Sequence, residues 1–178
     1  MTNELLRHLA SLRGAGWRVD ERTGAIGVGA NPIATRHPIL PEEYLDFLAS
    51  VDRCNDPADQ VWFLSTADFS GTSDAAFSWD EFERQSLDAA QGDAAWRAEI
   101  AKHWDAHLPI LFSVVDGYAY AALVTQGRDV GKVVAGREPE YEEVREVAPS
   151  FMEFLSELVG VVEGRSGAAR VADLIGRK

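Results

Sequence analysis

Two apolar runs on either side of a short turn form the clearest pattern in the sequence. Residues 108–115 and 118–125 flank the pair Asp116-Gly117. An Asp-Gly pair favours a two-residue hairpin, because both turn positions need a positive φ angle that Asp and Gly tolerate. A second turn and a third short apolar run follow. The pattern therefore predicts a three-stranded antiparallel meander over residues 109–135.

The residues after the meander have the spacing of an amphipathic helix. Ser150 and Glu153 are placed as a capping box, in which each side chain satisfies a free backbone amide at the start of a helix. Gly160 stands where a C-cap glycine is expected. We expect this helix, residues 150–159, to cover one face of the meander. Its apolar residues share one helical face: Phe151, Phe154, Leu155 and Leu158.

Four further amphipathic helices are predicted ahead of the meander. The first begins at residue 3 and the second at Pro41, where a missing amide costs nothing. The third begins at a capping box of Ser78 and Glu81. Asp93 caps the fourth, which we expect to end ahead of the proline at position 109.

The stretches between these helices predict loops and short strands. Residues 17–28 alternate as in a small hairpin. The glycines at 24–29 are interpreted as turn glycines, because no strand–loop–helix unit surrounds them as a nucleotide-binding loop requires. Residues 30–39 and 52–59 are expected to be irregular. Residues 61–64 are apolar at every position, which favours a short buried strand.

Together these elements predict an α+β fold, in which a central, mostly antiparallel sheet is flanked by helices. The 178 residues suffice for one domain with a sizeable core. We assign residues 1–160 to this domain. Residues 161–178 are assigned to a C-terminal tail, which either forms a short helix or frays.

Negative charge is concentrated in two segments of the chain. The net charge is −12, residues 38–100 hold 14 acidic and 3 basic side chains, and residues 138–157 hold 7 and 1. Such a surface repels phosphate backbones, which disfavours direct nucleic-acid binding, and attracts a basic protein partner. Acidic side chains also keep proteins soluble, so a purely solubilising role is the alternative.

Six acidic residues are the candidates for a partner-facing surface: Glu138, Glu140, Glu142, Glu143, Asp80 and Glu83. The first four form an acidic stretch ahead of the last helix. A solvated loop is the simplest interpretation of this stretch, and paired catalytic carboxylates are the alternative. Four tryptophans fit either the core or an interface: Trp62, Trp79, Trp96 and Trp104.

The sequence gives little support to metal or nucleophile chemistry. His103 and His107 lie four residues apart, but zinc needs a further ligand, and Trp104 stands where the metalloprotease pattern requires Glu. Carboxylates near Cys54 are expected to raise the pKa of its thiol, the opposite of what a nucleophile needs. We therefore expect no catalytic residue, no metal and no cofactor.

The sequence also predicts a cytoplasmic protein. No apolar run approaches the ~18 residues that a transmembrane helix needs. Charged residues interrupt the first apolar stripe, unlike the core of a signal peptide. The single cysteine, Cys54, excludes an internal disulfide.

Several short motifs in order resemble the SUKH superfamily. Leu40–Tyr44, continuing to Phe47-Leu48, resembles the opening of a helix in that family, and Val61–Ser65 resembles the strand that follows it. Further motifs resemble its C-terminal half: Leu108–Ile110, Gly117-Tyr118, Gly131–Val134, Val147–Phe151 and Phe154-Leu155. The resemblance covers roughly residues 37–160. One departure is the absence of the family's Asn-Gly-Gly type turn, where this chain has Asp52–Asn55.

The resemblance implies an α+β fold without enzymatic activity. Resemblance to the bacterial members implies the role of an immunity protein. Such a protein neutralises a polymorphic toxin, such as a nuclease, by docking an acidic face over a basic active site. Resemblance to the fungal members, which are of the cell-wall-assembly-regulator type, implies an alternative role. The protein would then be a regulatory or scaffold protein that binds an endogenous partner. A hydrolase is a third possibility, which would require a deep polar pocket with a converging histidine and carboxylate.

Overall fold

The computed structural model of the protein describes residues 2–22, 32–165 and 167–177. The helices in these ranges are α1 (Asn3–Gly14), α2 (Pro32–Arg36), α3 (Glu42–Ser50), α4 (Thr66–Phe69), α5 (Glu81–Ala89), α6 (Ala94–Ala106), α7 (Phe151–Val162) and α8 (Ala169–Leu174). The strands are β1 (Arg18–Glu21), β2 (Val51–Asn55), β3 (Val61–Phe63), β4 (His107–Ser113), β5 (Ala119–Val124), β6 (Val133–Arg137) and β7 (Arg145–Ala148).

These strands form a single antiparallel sheet, in which the strand order follows the chain from β1 to β7. The predicted α+β class is therefore confirmed. The predicted meander corresponds to β4, β5 and β6, with Leu111 of β4 opposite Ala121 and Ala121 opposite Ala135.

Helices α1, α3 and α7 form a layer on one face of the sheet. Phe63 of β3 meets the ring of Phe47 on α3 at 5.0 Å and the ring of Phe154 on α7 at 6.2 Å. The four apolar residues predicted to line the last helix are all buried in this layer. The helix therefore packs on the sheet as expected.

Helices α5 and α6 cover the opposite face. Phe82 of α5 contacts Phe112 of β4, with ring centres 4.6 Å apart. Trp104 of α6 contacts Tyr120 of β5 at 5.0 Å. All six residues of β5 are buried, because helices cover both sides of this strand.

The predicted two-residue turn between the first two strands of the meander is wrong. The connection between β4 and β5 spans residues 114–118 rather than two residues. Gly117 has a φ angle of +85°, whereas Asp116 is not among the residues with positive φ, so the predicted hairpin turn does not form.

The predicted end of the last long helix is also wrong, because Gly160 lies inside α7 and does not end it. The positive φ follows the helix at Gly164, where φ is +78°.

Irregular pairing explains two further errors. Residues 51–55 form β2 although a loop was predicted over 52–59, because a register shift against β1 leaves Asp52 unpaired and breaks the two-residue alternation. Pro109 lies within β4 rather than ending α6, which ends at Ala106. The register shifts between Pro109 and Leu111, and such a bulge accommodates a residue without an amide hydrogen.

Helix starts account for the remaining differences. Helix α5 begins at Glu81 with Asp80 at the N-cap position, not Ser78. The hydroxyl of Ser78 instead donates to the Glu81 carboxylate at 3.3 Å. A complete capping box occurs at Ser65 and Asp68, which the sequence reading missed. Helix α2 occupies part of 30–39, which was expected to be irregular.

Both ends of the chain contribute to the same core. Strand β1 pairs with β2, whereas the predicted partner strand at 26–28 and the glycines at 24–29 lie outside the described residues. Helix α8 buries Val171 and Leu174, and Ile175 directly after it is buried as well. The division of the chain at residue 160 stays a prediction. None of the helices in the described ranges combines the length and apolar character that crossing a bilayer requires.

The burial of α7 gives a direct test of this packing. Leu155 has no exposed surface, so Leu155→Ala is expected to lower the free energy of unfolding by about 2–5 kcal/mol. Leu45, which is 45% exposed, provides the control, because Leu45→Ala is expected to change it by less than about 0.5 kcal/mol. Urea titration measures both, and equal effects would contradict the packing of α7.

Candidate partner-binding surface

The loop between β6 and β7, residues 138–144, carries four of the six acidic candidates and is fixed by their side chains. The Glu138 carboxylate accepts a hydrogen bond from the backbone amide of Tyr118 at 3.0 Å. The indole of the buried Trp104 donates to the Glu142 carboxylate at 3.0 Å. Two of the four candidates therefore hold the loop in place.

Tyr141 anchors the middle of the loop. Its carbonyl oxygen accepts from the Tyr120 hydroxyl at 2.6 Å, and its own hydroxyl donates to Gln85 of α5 at 2.9 Å. Its ring stacks on Phe82 with ring centres 4.8 Å apart. The loop is therefore attached to both β5 and α5.

Acidic side chains from both charged segments gather around this tyrosine. Burial raises the pKa of the Tyr141 hydroxyl, and the nearby charges of Glu138, Glu81 and Glu142 raise it further. Glu81 belongs to the first acidic segment and the other two to the second. The fold thus brings two segments that are remote in sequence onto one surface.

The acidic candidates differ in how accessible their charges are. Glu138, Glu140 and Glu143 are exposed, whereas Asp80 and Glu142 are partly buried. Glu83 is 9% exposed, and both of its oxygens pair with the Arg36 guanidinium, at 2.6 and 2.7 Å. Its charge is neutralised inside the fold.

Aromatic side chains continue this surface. Tyr118, which sequence reasoning did not single out, is 37% exposed. It meets the ring of Phe77 edge-on at 5.4 Å, and Phe77 contacts Trp62 at 6.0 Å. We refer to the exposed and partly buried acids of these two segments, together with these rings, as the acidic–aromatic surface: Asp80, Glu81, Glu138, Glu140, Glu142, Glu143, Tyr118 and Phe77.

The tryptophans divide between the core and the surface. Trp104 is buried, Trp62 and Trp79 are partly buried, and Trp96 is 45% exposed. Trp96 is spaced along α6 to share one row with Ile100 and Trp104. Only Ile100 and Trp104 of that row are buried.

The two histidines of the candidate metal pair are partly buried and pack against each other. Their rings stack with centres 4.1 Å apart. His103 Nε2 donates to the Tyr120 hydroxyl at 3.2 Å, and His107 Nδ1 donates to the His103 carbonyl at 2.8 Å. Burial lowers the pKa of His103 to about 4 and also lowers that of His107. Within the described ranges, no three His, Cys, Asp or Glu side chains are grouped to hold a metal ion.

The cysteine is part of the core. Cys54 lies in β2 and is 1% exposed. Burial raises the pKa of its thiol. The direction agrees with the prediction, but its cause is burial rather than neighbouring carboxylates.

The fold and this surface define a class of protein: an α+β domain with one antiparallel sheet and an acidic surface built on a fixed loop. The family model of the SMI1 / KNR4 family (SUKH-1) matches residues 38–157. The chain belongs to this family, which confirms the resemblance to the SUKH superfamily. No curated protein and no solved structure matches the chain.

Family membership sets the general role of the domain. The SMI1 / KNR4 family is generally non-enzymatic and supports an immunity or regulatory type of role, exercised through protein–protein interaction. The match begins ahead of α3 and ends within α7, so it contains β2 to β7 and the whole acidic loop.

The attachment of the loop depends on a glycine opposite Tyr120. A Cβ at Gly136 would lie 2.6 Å from Cε1 of Tyr120 and 2.7 Å from the carbonyl oxygen of Tyr141. We expect Gly136→Ala to lower the free energy of unfolding by about 1–3 kcal/mol through overpacking. Gly14→Ala is the control, because its Cβ meets no atom within 4 Å and alanine favours the helix. Urea titration compares the two, and a neutral Gly136→Ala would contradict this close packing.

One buried and one partly buried histidine, His37 and His103, predict a loss of stability in acid. Burial lowers the pKa of His37 and of His103 to about 4, from 6.5 for a free side chain. Between these values the unfolded chain binds protons that the folded chain does not, so the free energy of unfolding falls as the pH falls. Urea titrations at about pH 7, 5.5 and 4.5 measure this dependence.

His103→Gln sharpens the pH test. Glutamine can donate the same hydrogen bond to Tyr120 but takes up no proton, so the variant is expected to show a shallower decline between about pH 6.5 and 4 than the unaltered protein. A stability that is flat over this range in the unaltered protein would contradict the burial of these histidines.

Proposed function

We propose that the protein is a cytoplasmic immunity protein that binds a basic toxin domain, such as a nuclease, and occludes its active site. The family supports a non-catalytic, protein-binding role. The observation that carries the finer proposal is the meeting of both acidic segments around Tyr141. Basic clefts that hold phosphate backbones are complementary to such a surface.

The fixed loop supports binding by a surface prepared in advance. Glu138, Tyr141 and Glu142 are held by hydrogen bonds to other elements. Little conformational freedom is therefore lost when a partner docks, and that loss is one of the main costs of association. Glu140 and Glu143 of the same loop remain exposed and can attract a basic partner at long range.

Aromatic side chains supply the short-range part of the interface. Tyr118 is the most exposed ring of the acidic–aromatic surface and rests on Phe77 and Phe82. Tyrosines held in this way are common anchors at the centre of interfaces. In this proposal the acidic side chains speed association with the partner, and the aromatic rings slow its dissociation.

Charge reversal at the two exposed loop acids tests the proposal. The probe is the basic protein that affinity purification recovers from the native cell. Glu140→Lys combined with Glu143→Lys is expected to slow its association about tenfold at low salt, because steering is lost. Dissociation is expected to change less, and rising salt is expected to slow association of the unaltered protein. Stopped-flow kinetics across a salt series measures both rates.

Asp20→Lys combined with Glu163→Lys is the matched control, because it changes the net charge equally on β1 and at the end of α7. The control is expected to associate as fast as the unaltered protein in buffer of moderate salt. An association rate insensitive to salt and to the loop reversal would reduce the charge to a solubilising role. Recovery of an endogenous protein that is not a toxin would replace immunity by the regulatory role.

A further inference from the structure

A cleft of about 500 Å³ opens beside the acidic–aromatic surface. It lies between the segment 73–77 and strands β2 and β3, and Trp62 and Phe77 form part of its wall. Because Phe77 also contacts Tyr118 at 5.4 Å, the cleft is continuous with the surface proposed to bind a partner.

Three carboxylates and one guanidinium line the cleft: Asp59, Asp68, Asp74 and Arg53. The Asp74 side chain is 97% exposed and lies 4.0 Å from the Arg53 guanidinium, whose side chain is 41% exposed. Ion pairs this long and this exposed are weak. The cleft therefore keeps an excess of negative charge.

Asp68 is the most deeply placed of these acids. It is 8% exposed, and its Oδ2 accepts from the amide and the hydroxyl of Ser65, at 2.6 and 2.7 Å. No donor among the described residues reaches its Oδ1. A carboxylate oxygen that has no donor in the described part of the fold and lines a cleft favours a ligand that donates hydrogen bonds and carries positive charge.

Trp62 in the wall carries a buried donor that is unsatisfied within the described ranges. Its indole Nε1 is buried and has no hydrogen-bond partner in the described part of the chain. A buried donor without an acceptor is costly. A planar cation could stack on the Trp62 ring in the cleft wall and pair with Asp68 at the same time.

An arginine residue in a peptide chain has this combination. Its guanidinium is planar, stacks on aromatic rings and donates in a fork to carboxylates, whereas a lysine ammonium is a point charge.

We propose that the cleft binds an arginine side chain of the protein partner, with the guanidinium between the Trp62 ring and the carboxylates of Asp68 and Asp74. The proposal rests on the protein-binding function given above and specifies one of its contacts. Arg53 competes for Asp74, so its removal strengthens the site.

Nuclear magnetic resonance of the ¹⁵N-labelled protein tests this without a natural partner. The probe is the blocked tripeptide acetyl-Gly-Arg-Gly-amide, added up to about 10 mM because a single side chain binds in the millimolar range. The indole N–H signal of Trp62, assigned with Trp62→Phe, is expected to shift and saturate. The same peptide with citrulline, which lacks the charge, is expected to leave the signal in place.

Variants of opposite expected sign sharpen the test. Asp74→Asn is expected to weaken peptide binding several-fold, and Arg53→Gln to strengthen it. Asp88→Asn is the matched control, an exposed acid on α5 outside the cleft, and is expected to change nothing. Asp68→Asn is expected to abolish binding, provided that circular dichroism shows the fold unchanged; Asp74→Asn decides the matter where it does not.

Several outcomes would overturn the arginine site. They are the absence of a Trp62 shift, an equal shift with the citrulline or a lysine peptide, and an equal loss of affinity in Asp88→Asn. Because no toxin enters the experiment, its failure leaves the charge-reversal kinetics of the loop unaffected. Failure of those kinetics likewise leaves the peptide titration standing.

Discussion

Burial of β5 between two helical layers is the constraint on which the rest of the structure depends. Each residue of this strand is buried, so the sequence there must be apolar on both sides. The small side chains of Ala119 and Ala121 take up little space on one face of β5. On the other face, the ring of Tyr120 packs against Trp104 and Phe82. The positions of α5, α6 and the acidic loop follow from how this one side chain is accommodated.

The candidate surface is a consequence of that packing. The Tyr120 ring lies over Gly136, and its hydroxyl reaches the carbonyl of Tyr141. A core side chain thereby holds a surface loop from below. The exposed acids at Glu140 and Glu143 lie on a loop that the hydrophobic core holds in place, so the stability of the core and the shape of the candidate surface are coupled.

Local patterns in the sequence predicted most helices and strands, whereas contacts between residues remote in sequence could not be predicted from it. The helix cap at Ser150 and the apolar run that forms β4 could be predicted, because each depends on neighbours only a few residues away. Strand β2 was missed because a bulge at Asp52 disrupts its alternation. The acidic stretch was recognised as a candidate, but the pairing of Glu83 with Arg36 across 47 residues, like the cleft beside Trp62, arises only when remote segments meet.

The packing of α1 against α7 has a consequence for synthesis of the chain. Each strand pairs with its neighbour in sequence, so the sheet can grow as residues leave the ribosome. The first helix cannot complete its burial until α7 has emerged about a hundred and forty residues later. Its apolar face, with Leu5 and Leu9, is therefore open to chaperones and to aggregation throughout that interval. The last long helix closes the domain.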